Sequence, residues 1–319
     1  MRELIDLAPG LTRGLAAGAL LDDAGAALAE KLEAEAATAT HGFAGAVLLA
    51  ALGIEAPGRP IVHLAAHDIE IAGPLRDLLR HAGALPQAVG SVDRATRADL
   101  EAALATAAAA LWVADERLAA AHLVGLPEFR HLAHQRGIPT IVLAPSGRNI
   151  EGLLDAGADL LVLDAATAFA GPPLGIIAGR ADLVGSVRRA QGRGLGRLTA
   201  PAPEHLTRLQ ACLDADHTAA LQARRARLGE LLTGNAGLRL RPTAMGLVLH
   251  VDPPTAGFTA SDLAHALATG SPGLVTDDRD SHQGQLALDL VRLDEASFET
   301  VLATLARTLD QPIPPAPWP

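Results

Sequence analysis

Two short stretches hold the densest groups of side chains able to do chemistry. The stretch IVHLAAHDIE carries His63, His67 and Asp68, a set that can move protons or offer ligands to a metal. No cysteine or second histidine–glutamate cluster stands beside it at ligand spacing, so proton transfer or ring packing is expected rather than a metal centre. The stretch THGFAGAVLLAALG opens on Thr40, His41 and Gly42 before an apolar helical body. A helix starting this way can aim free backbone N–H groups at a phosphate; the same residues would also serve simply to cap a buried helix.

The remaining groups carry weaker signals. His131 and His134 fall at i and i+3 with Glu128 and Arg130 nearby, which reads as a solvated helical face. Asp277, Asp278 and Asp280 crowd one loop without the spacing of a calcium loop. Ser146, in APSGR, lacks the G-x-S-x-G context of an activated nucleophile. GRGLGR, with Arg193 and Arg197, suits a phosphate but lacks the helix that completes a dinucleotide fingerprint. Cys212 is the single cysteine and reads as helix packing. Lys31 is the single lysine, on the polar face of the first predicted helix.

Elements must position these residues. Leu20, Leu21, Leu28 and Leu32 recur near helical spacing and predict a helix over Ala16–Ala36, and a second helix is read within Thr40–Gly53. Strands are then predicted at Ile61–Ala65, Leu85–Gly90, Ala110–Asp115, Pro139–Ala144, Asp159–Leu163 and Leu174–Ala178. Helices alternate with them at Pro74–Gly83, Arg97–Ala109, Leu126–Gly137, Asn149–Gly157 and Ala181–Gly192. Such alternation implies a mainly parallel sheet wrapped by helices, with its binding crevice beyond the carboxyl ends of the strands. A long helix over Glu204–Leu232 leads into strands LRLRP, GLVLHV and QLALDL and two more helices. The expected organisation is a large α/β domain over residues 1–203, a connecting helix over 204–234 and a small α+β domain over 235–319.

Composition narrows the function classes. Hydrophobic residues make up 49% of the 319 but aromatics only 2%, so the core must be aliphatic. A net charge of -10 argues against a nucleic-acid surface, which needs basic stripes to displace counterions. No apolar run reaches the ~18–20 residues of a membrane span, and the N-terminus lacks a basic-then-apolar signal. The expectation is a soluble cytoplasmic protein.

The segment Asp159–Arg180, DLLVLDAATAFAGPPLGIIAGR, resembles the lysine loop of fold-type-I pyridoxal-phosphate (PLP) enzymes, in the branch containing selenocysteine synthase and D-glucosaminate-6-phosphate ammonia-lyase. RGIPTIVLAPSG and the stretch from DLAHALATG to LVRL resemble further segments of that branch, and the similarity extends from about Ala24 to Leu309. It implies a fold-type-I large domain with a mainly parallel sheet and a small C-terminal α+β domain. It also places Thr167 where the family carries its cofactor lysine, and Leu143 where a carboxylate faces the pyridine nitrogen. Thr40, His41 and Gly42 match the phosphate grip, and His67 falls near the residue that stacks on the ring. Asp68, Ser146 and Arg197 complete a candidate remnant pocket, while Asp277 stands where the family tends to carry a basic residue.

On this reading no cofactor is expected, with PLP bound only non-covalently if at all. The resemblance then implies a pseudoenzyme acting as a binding or regulatory subunit. The alternative is a lyase or transferase on an amino-acid or phosphorylated amino-sugar substrate, using non-covalent PLP or a remodelled pocket. The family also implies a homodimer or larger assembly, with a lysine-bearing paralogue as a second candidate partner. A small anionic ligand is in keeping with the pocket; nucleic acid and membrane are not expected partners.

Overall fold

The computed structural model describes the chain apart from residues 1–8, 56–57, 116–117, 119–123, 148–149, 215–217, 244–245, 279, 292 and 317–319. It divides into two compact units, Met1–Asp214 and Ala215–Pro319.

Unit 1 is built on seven strands: β1 (Ala36–His41), β2 (Pro60–Leu64), β3 (Leu85–Val89), β4 (Ala109–Val113), β5 (Thr140–Ala144), β6 (Leu160–Asp164) and β7 (Leu174–Gly179). Their order is β1-β7-β6-β5-β4-β2-β3. β7 runs antiparallel to both neighbours and the other pairings are parallel, so β1 points the same way as β6, β5, β4 and β2. The expected mainly parallel sheet is therefore present.

Strand alternation sorts the aliphatic side chains to two faces. Ile141, Leu143, Val162 and Ile177 pack on one side against α2 (Gly42–Gly53), α3 (Leu75–His81) and α8 (Ala181–Gln191). Val142, Ala144, Leu161 and Ile176 pack on the other against α1 (Pro9–Lys31), α6 (Ile150–Asp155) and α9 (Pro203–Asp214). The far end of that second face, with Val62, Leu64 and Ala110, lies under α4 (Arg97–Leu104) and α5 (Leu126–His134). Each such Leu, Val or Ile contributes about 1.5–3 kcal/mol on burial. Alanine-rich helices let this happen with few aromatics, Phe129 of α5 being one that is fully buried.

Two sequence expectations are corrected here. The first helix does not reach Ala36: it ends at Lys31, Glu33 turns the chain at φ 51°, and β1 follows. Thr40 and His41 therefore belong to a strand, and α2 starts only at Gly42. The segment after β6 is also not an open loop. It holds a short helix, α7 (Ala165–Phe169), which Asp164 begins by accepting the Ala166 N–H at 2.9 Å.

Unit 2 holds α10 (Thr218–Leu232), β8 (Leu238–Thr243), β9 (Gly246–Val251), α11 (Pro253–Ala256), α12 (Ala260–Thr269), β10 (Gln285–Asp289) and α13 (Glu295–Leu309). Its strands form an antiparallel sheet in the order β10-β9-β8, with a core of Leu247, Leu249, Leu263, Leu286 and Phe298. The expected single helix over Glu204–Leu232 crosses residues 215–217, which lie outside the described residues. Among the described residues, no helix is long and apolar enough to cross a membrane.

Candidate functional site

Every parallel strand of unit 1 ends at one edge of the sheet, and most of the candidate residues gather along it. Thr40 is fully buried near the end of β1, and its hydroxyl donates to Gly42 O at 3.1 Å. His41 is exposed and forms no side-chain cap on α2. The first N–H groups of this twelve-residue helix are therefore not capped by its N-cap side chain, and a helix start carries roughly half a positive charge. Gly42 makes the strand-to-helix turn at φ 68°, and a side chain there would enter open space.

The loop carrying Arg197 sits against the same helix start. It is a 3-10 segment, Gly194–Thr199, and a Cβ added at Gly45 would lie 3.6 Å from Thr199 Cβ. Gln191 fastens the preceding helix to β1 by donating to Ala39 O at 3.0 Å. Arg197, on the segment that packs on α2, is exposed and forms no hydrogen bond or ion pair with a described residue.

Next along the edge come β6 and β5. The Thr167 hydroxyl lies 3.0 Å from both Pro145 O and Asp164 O and donates to these carbonyls. That ties α7 to the turn after β5, where Ser146 is half-buried. Leu143 is fully buried within β5 among Ile141, Val162 and Val113. An aliphatic side chain there can pack but cannot hold a proton on a ring nitrogen.

His67 occupies the stretch after β2. It is buried, its Nδ1 accepts the Val113 N–H at 3.2 Å, and its ring meets Trp112 edge-on with centroids 4.4 Å apart. Accepting at Nδ1 leaves the hydrogen on Nε2. Burial, then the neighbouring His63, lower its pKa to about 4 against the raising pull of Asp115, so at neutral pH the ring is uncharged. His63 is buried as well, and its Nδ1–H donates to Leu64 O at 2.9 Å. Burial lowers its pKa too, opposed by that bond and by Asp68.

Asp68 does not join the group as a free acid–base residue. Its carboxylate accepts the Arg76 N–H at 3.2 Å and forms an ion pair with the Arg76 guanidinium. Sequence reasoning missed Trp112 and Asp115, although residues at the carboxyl end of β4 are where open α/β sheets bind ligands. His134 departs from the solvated-face expectation, because its Nε2 meets the buried Asp159 carboxylate at 2.7 Å. Cys212 is half-buried, with Sγ 3.8 Å from Ala170 O, a packing position.

Lys31 lies elsewhere. It closes α1, five residues before the first residue of β1, whereas the candidate site begins at the last. Five strand steps, roughly 17 Å, separate the two edges of the sheet. Lys31 is exposed there. The residues at the site thus fit the phosphate end of a PLP-type cofactor, while no lysine of this chain fits its aldehyde end.

No family model matches the chain. It is 30% identical over 261 residues to a 5'-C-glycyluridine monooxygenase-decarboxylase of Streptomyces sp, covering 76% of this chain and 65% of that relative's length. It is 26% identical over 285 residues to a D-glucosaminate-6-phosphate ammonia lyase of Salmonella typhimurium, covering 85% of this chain and 76% of the relative. An L-seryl-tRNA(Sec) selenium transferase of Geotalea daltonii is 29% identical over 181 residues, covering 51% of this chain and 39% of the relative. Among solved structures, a D-glucosaminate-6-phosphate ammonia-lyase superposes with a TM-score of 0.71 at 23% identity, over 92% of this chain and 86% of that one. A structure of SPT with PLP superposes with a TM-score of 0.58 at 16% identity, over 91% of this chain and 76% of that one. These findings overturn the expectation of no cofactor: the relatives and fold neighbours are PLP-dependent enzymes, so a cofactor is expected with this architecture. The chain is a homologue of D-glucosaminate-6-phosphate ammonia lyase and of the selenocysteine synthases, with the fold-type-I architecture of PLP-dependent enzymes.

Proposed function

We propose that this protein binds a PLP-type cofactor by its phosphate, without a covalent bond to its own lysine, and serves as a binding or regulatory subunit. The single observation behind this reading is that Lys31 closes α1 ahead of the start of β1, whereas the candidate site lies where β1 ends. When bound in enzymes, PLP supplies an electron sink, and that chemistry depends on an amine bond and on a protonated ring nitrogen. Here Thr167 spends its hydroxyl on two backbone carbonyls, and Leu143 offers the ring nitrogen no charge. The α2 amides, Thr40 and Arg197 remain as the phosphate grip, through charge-assisted hydrogen bonds. The protein assembles as a homodimer or larger on this reading, and Leu195 and Leu198, 48% and 77% exposed beside Arg197, are apolar surface for such a contact.

A second reading, a lyase or transferase on an amino-acid or phosphorylated substrate, is favoured by one observation. His67 is neutral and lies close enough to Asp115 to feel its charge, which is a titratable pair at the ligand edge. Calorimetric titration of PLP into wild type and His67→Gln, with turnover assayed on amino acids alongside, separates the two. Cofactor binding without turnover supports the subunit reading; turnover abolished by His67→Gln supports the enzyme. No PLP binding at all would sink the first reading and leave the second only its remodelled pocket.

A further inference from the structure

The described arginines of unit 2 fall into two kinds. Arg224 donates to Leu290 O at 2.7 Å, Arg225 to Gly246 O at 2.9 Å, Arg227 to Glu299 at 2.9 Å and Arg307 to Thr304 Oγ1 at 3.1 Å. Arg239 and Arg241 are exposed and, among the described residues, have neither a hydrogen bond nor an ion pair. They stand at i and i+2 of β8, hence on one face and about 7 Å apart. Across the ladder, Arg239 is paired in register with His250 of β9.

These three residues line an open groove of about 670 Å³ together with Gly237, Leu240, Val251, Asp252 and Pro253. Two guanidiniums so placed on one face repel one another, and an anion held between both relieves that repulsion. The groove is larger than a bare phosphate needs, so it has room for an organic part beside one. Asp252 is the carboxylate on its wall, and one of its oxygens already accepts the Thr255 hydroxyl at 2.6 Å.

We propose that this face of the small sheet binds a small hydroxylated phosphate ester. The two guanidiniums hold the phosphate oxygens through their planar forks, and the second oxygen of Asp252 accepts a hydroxyl of the organic part. The site lies wholly within unit 2 and does not depend on what the sheet edge of unit 1 binds.

The test is calorimetric titration at low salt with two probes, glycerol 3-phosphate and inorganic phosphate. The proteins are wild type, Arg197→Ala, the double variant Arg239→Gln/Arg241→Gln, and Asp252→Asn. Glutamine keeps the edge strand polar, and an unfolding midpoint measured without ligand checks the fold. Glycerol 3-phosphate affinity should survive Arg197→Ala and fall at least about tenfold in the double variant. Asp252→Asn should weaken glycerol 3-phosphate relative to inorganic phosphate. If the double variant unfolds, each single glutamine variant is read in the same way. Unchanged affinity without the arginines, or no heat with wild type at millimolar probe, overturns the proposal. Aggregation of the variants at unchanged affinity does so too, by assigning the arginines to protection of an edge strand.

Discussion

Gly175→Ala should disable the phosphate grip from the opposite side of the α2 start. Gly175 lies in β7, in register with Thr40 of β1. An added Cβ would stand 2.4 Å from Gly42 O, 2.5 Å from Ala46 Cβ and 2.8 Å from Thr40 Oγ1. Ordinary contact needs about 3.5 Å, so the first turn of α2 must move away by about 1 Å. Two of the three obstacles are a backbone oxygen and a Cβ fixed by the helix, which have no rotamer to yield. Overpacking of this kind costs about 1–3 kcal/mol, offset in part by the ~0.4–1 kcal/mol gained from stiffening the unfolded chain. The net expectation is a loss of about 1–2 kcal/mol, seen as a lower urea midpoint with unchanged slope. PLP affinity should fall at least about tenfold, because the amides of the first turn are displaced. Gly185→Ala is the control: it lies inside α8 with only Arg189 Nη1 near, at 3.6 Å. It should gain about 0.4–1 kcal/mol and leave binding alone. The reasoning fails if the two alanines behave alike in both assays.

Other outcomes are equally specific. Burial first, and then His63, lower the His67 pKa from 6.5 to about 4, so the unfolded chain takes the proton first as pH falls. Stability should therefore be complete above pH 6.5 and decline towards pH 4 by about 3 kcal/mol, with His63 adding a slope of the same sign. His67→Gln, followed by urea titration across that range, should remove most of the decline; an unchanged profile contradicts the assignment. Arg197→Ala should lower PLP affinity about tenfold and leave the urea midpoint within about 0.5 kcal/mol of wild type, since the side chain is exposed and unpartnered among the described residues. Asp159→Ala should lose about 2–4 kcal/mol, because Asp159 accepts Thr140 N at 2.8 Å, His134 at 2.7 Å and Arg180 at 3.2 Å. A change below about 0.5 kcal/mol in urea unfolding would mean that this cluster is ornamental.

The strand–helix alternation, the mainly parallel sheet and the family branch were all legible, because aliphatic strands such as TIVLA and LLVLD contrast sharply with their flanks. β1 was not. Its sequence, AATATH, offers only small side chains, and Leu32 prolongs the helical spacing from Leu28 past the true end of α1. The misplaced boundary did not hide the phosphate candidates, since Gly42 opens α2 and Thr40 and His41 end the strand that leads into it. What the sequence concealed was partnership. Asp68 with Arg76, and His134 with Asp159, meet only after helices have packed on the sheet. The expectation of no cofactor inferred too much from Thr167 and Leu143. Those positions bear on how a cofactor would be held, while the homologues and the fold bear on whether one is expected.

The most direct test is mass spectrometry of the protein incubated with PLP, recorded natively and then, after borohydride reduction, under denaturing conditions. Native spectra should show one PLP per chain, and the reduced, denatured chain should carry no pyridoxyl group on Lys31. A stoichiometric pyridoxyl adduct at Lys31, or the absence of any bound PLP in the native spectra, would contradict a cofactor held by its phosphate alone.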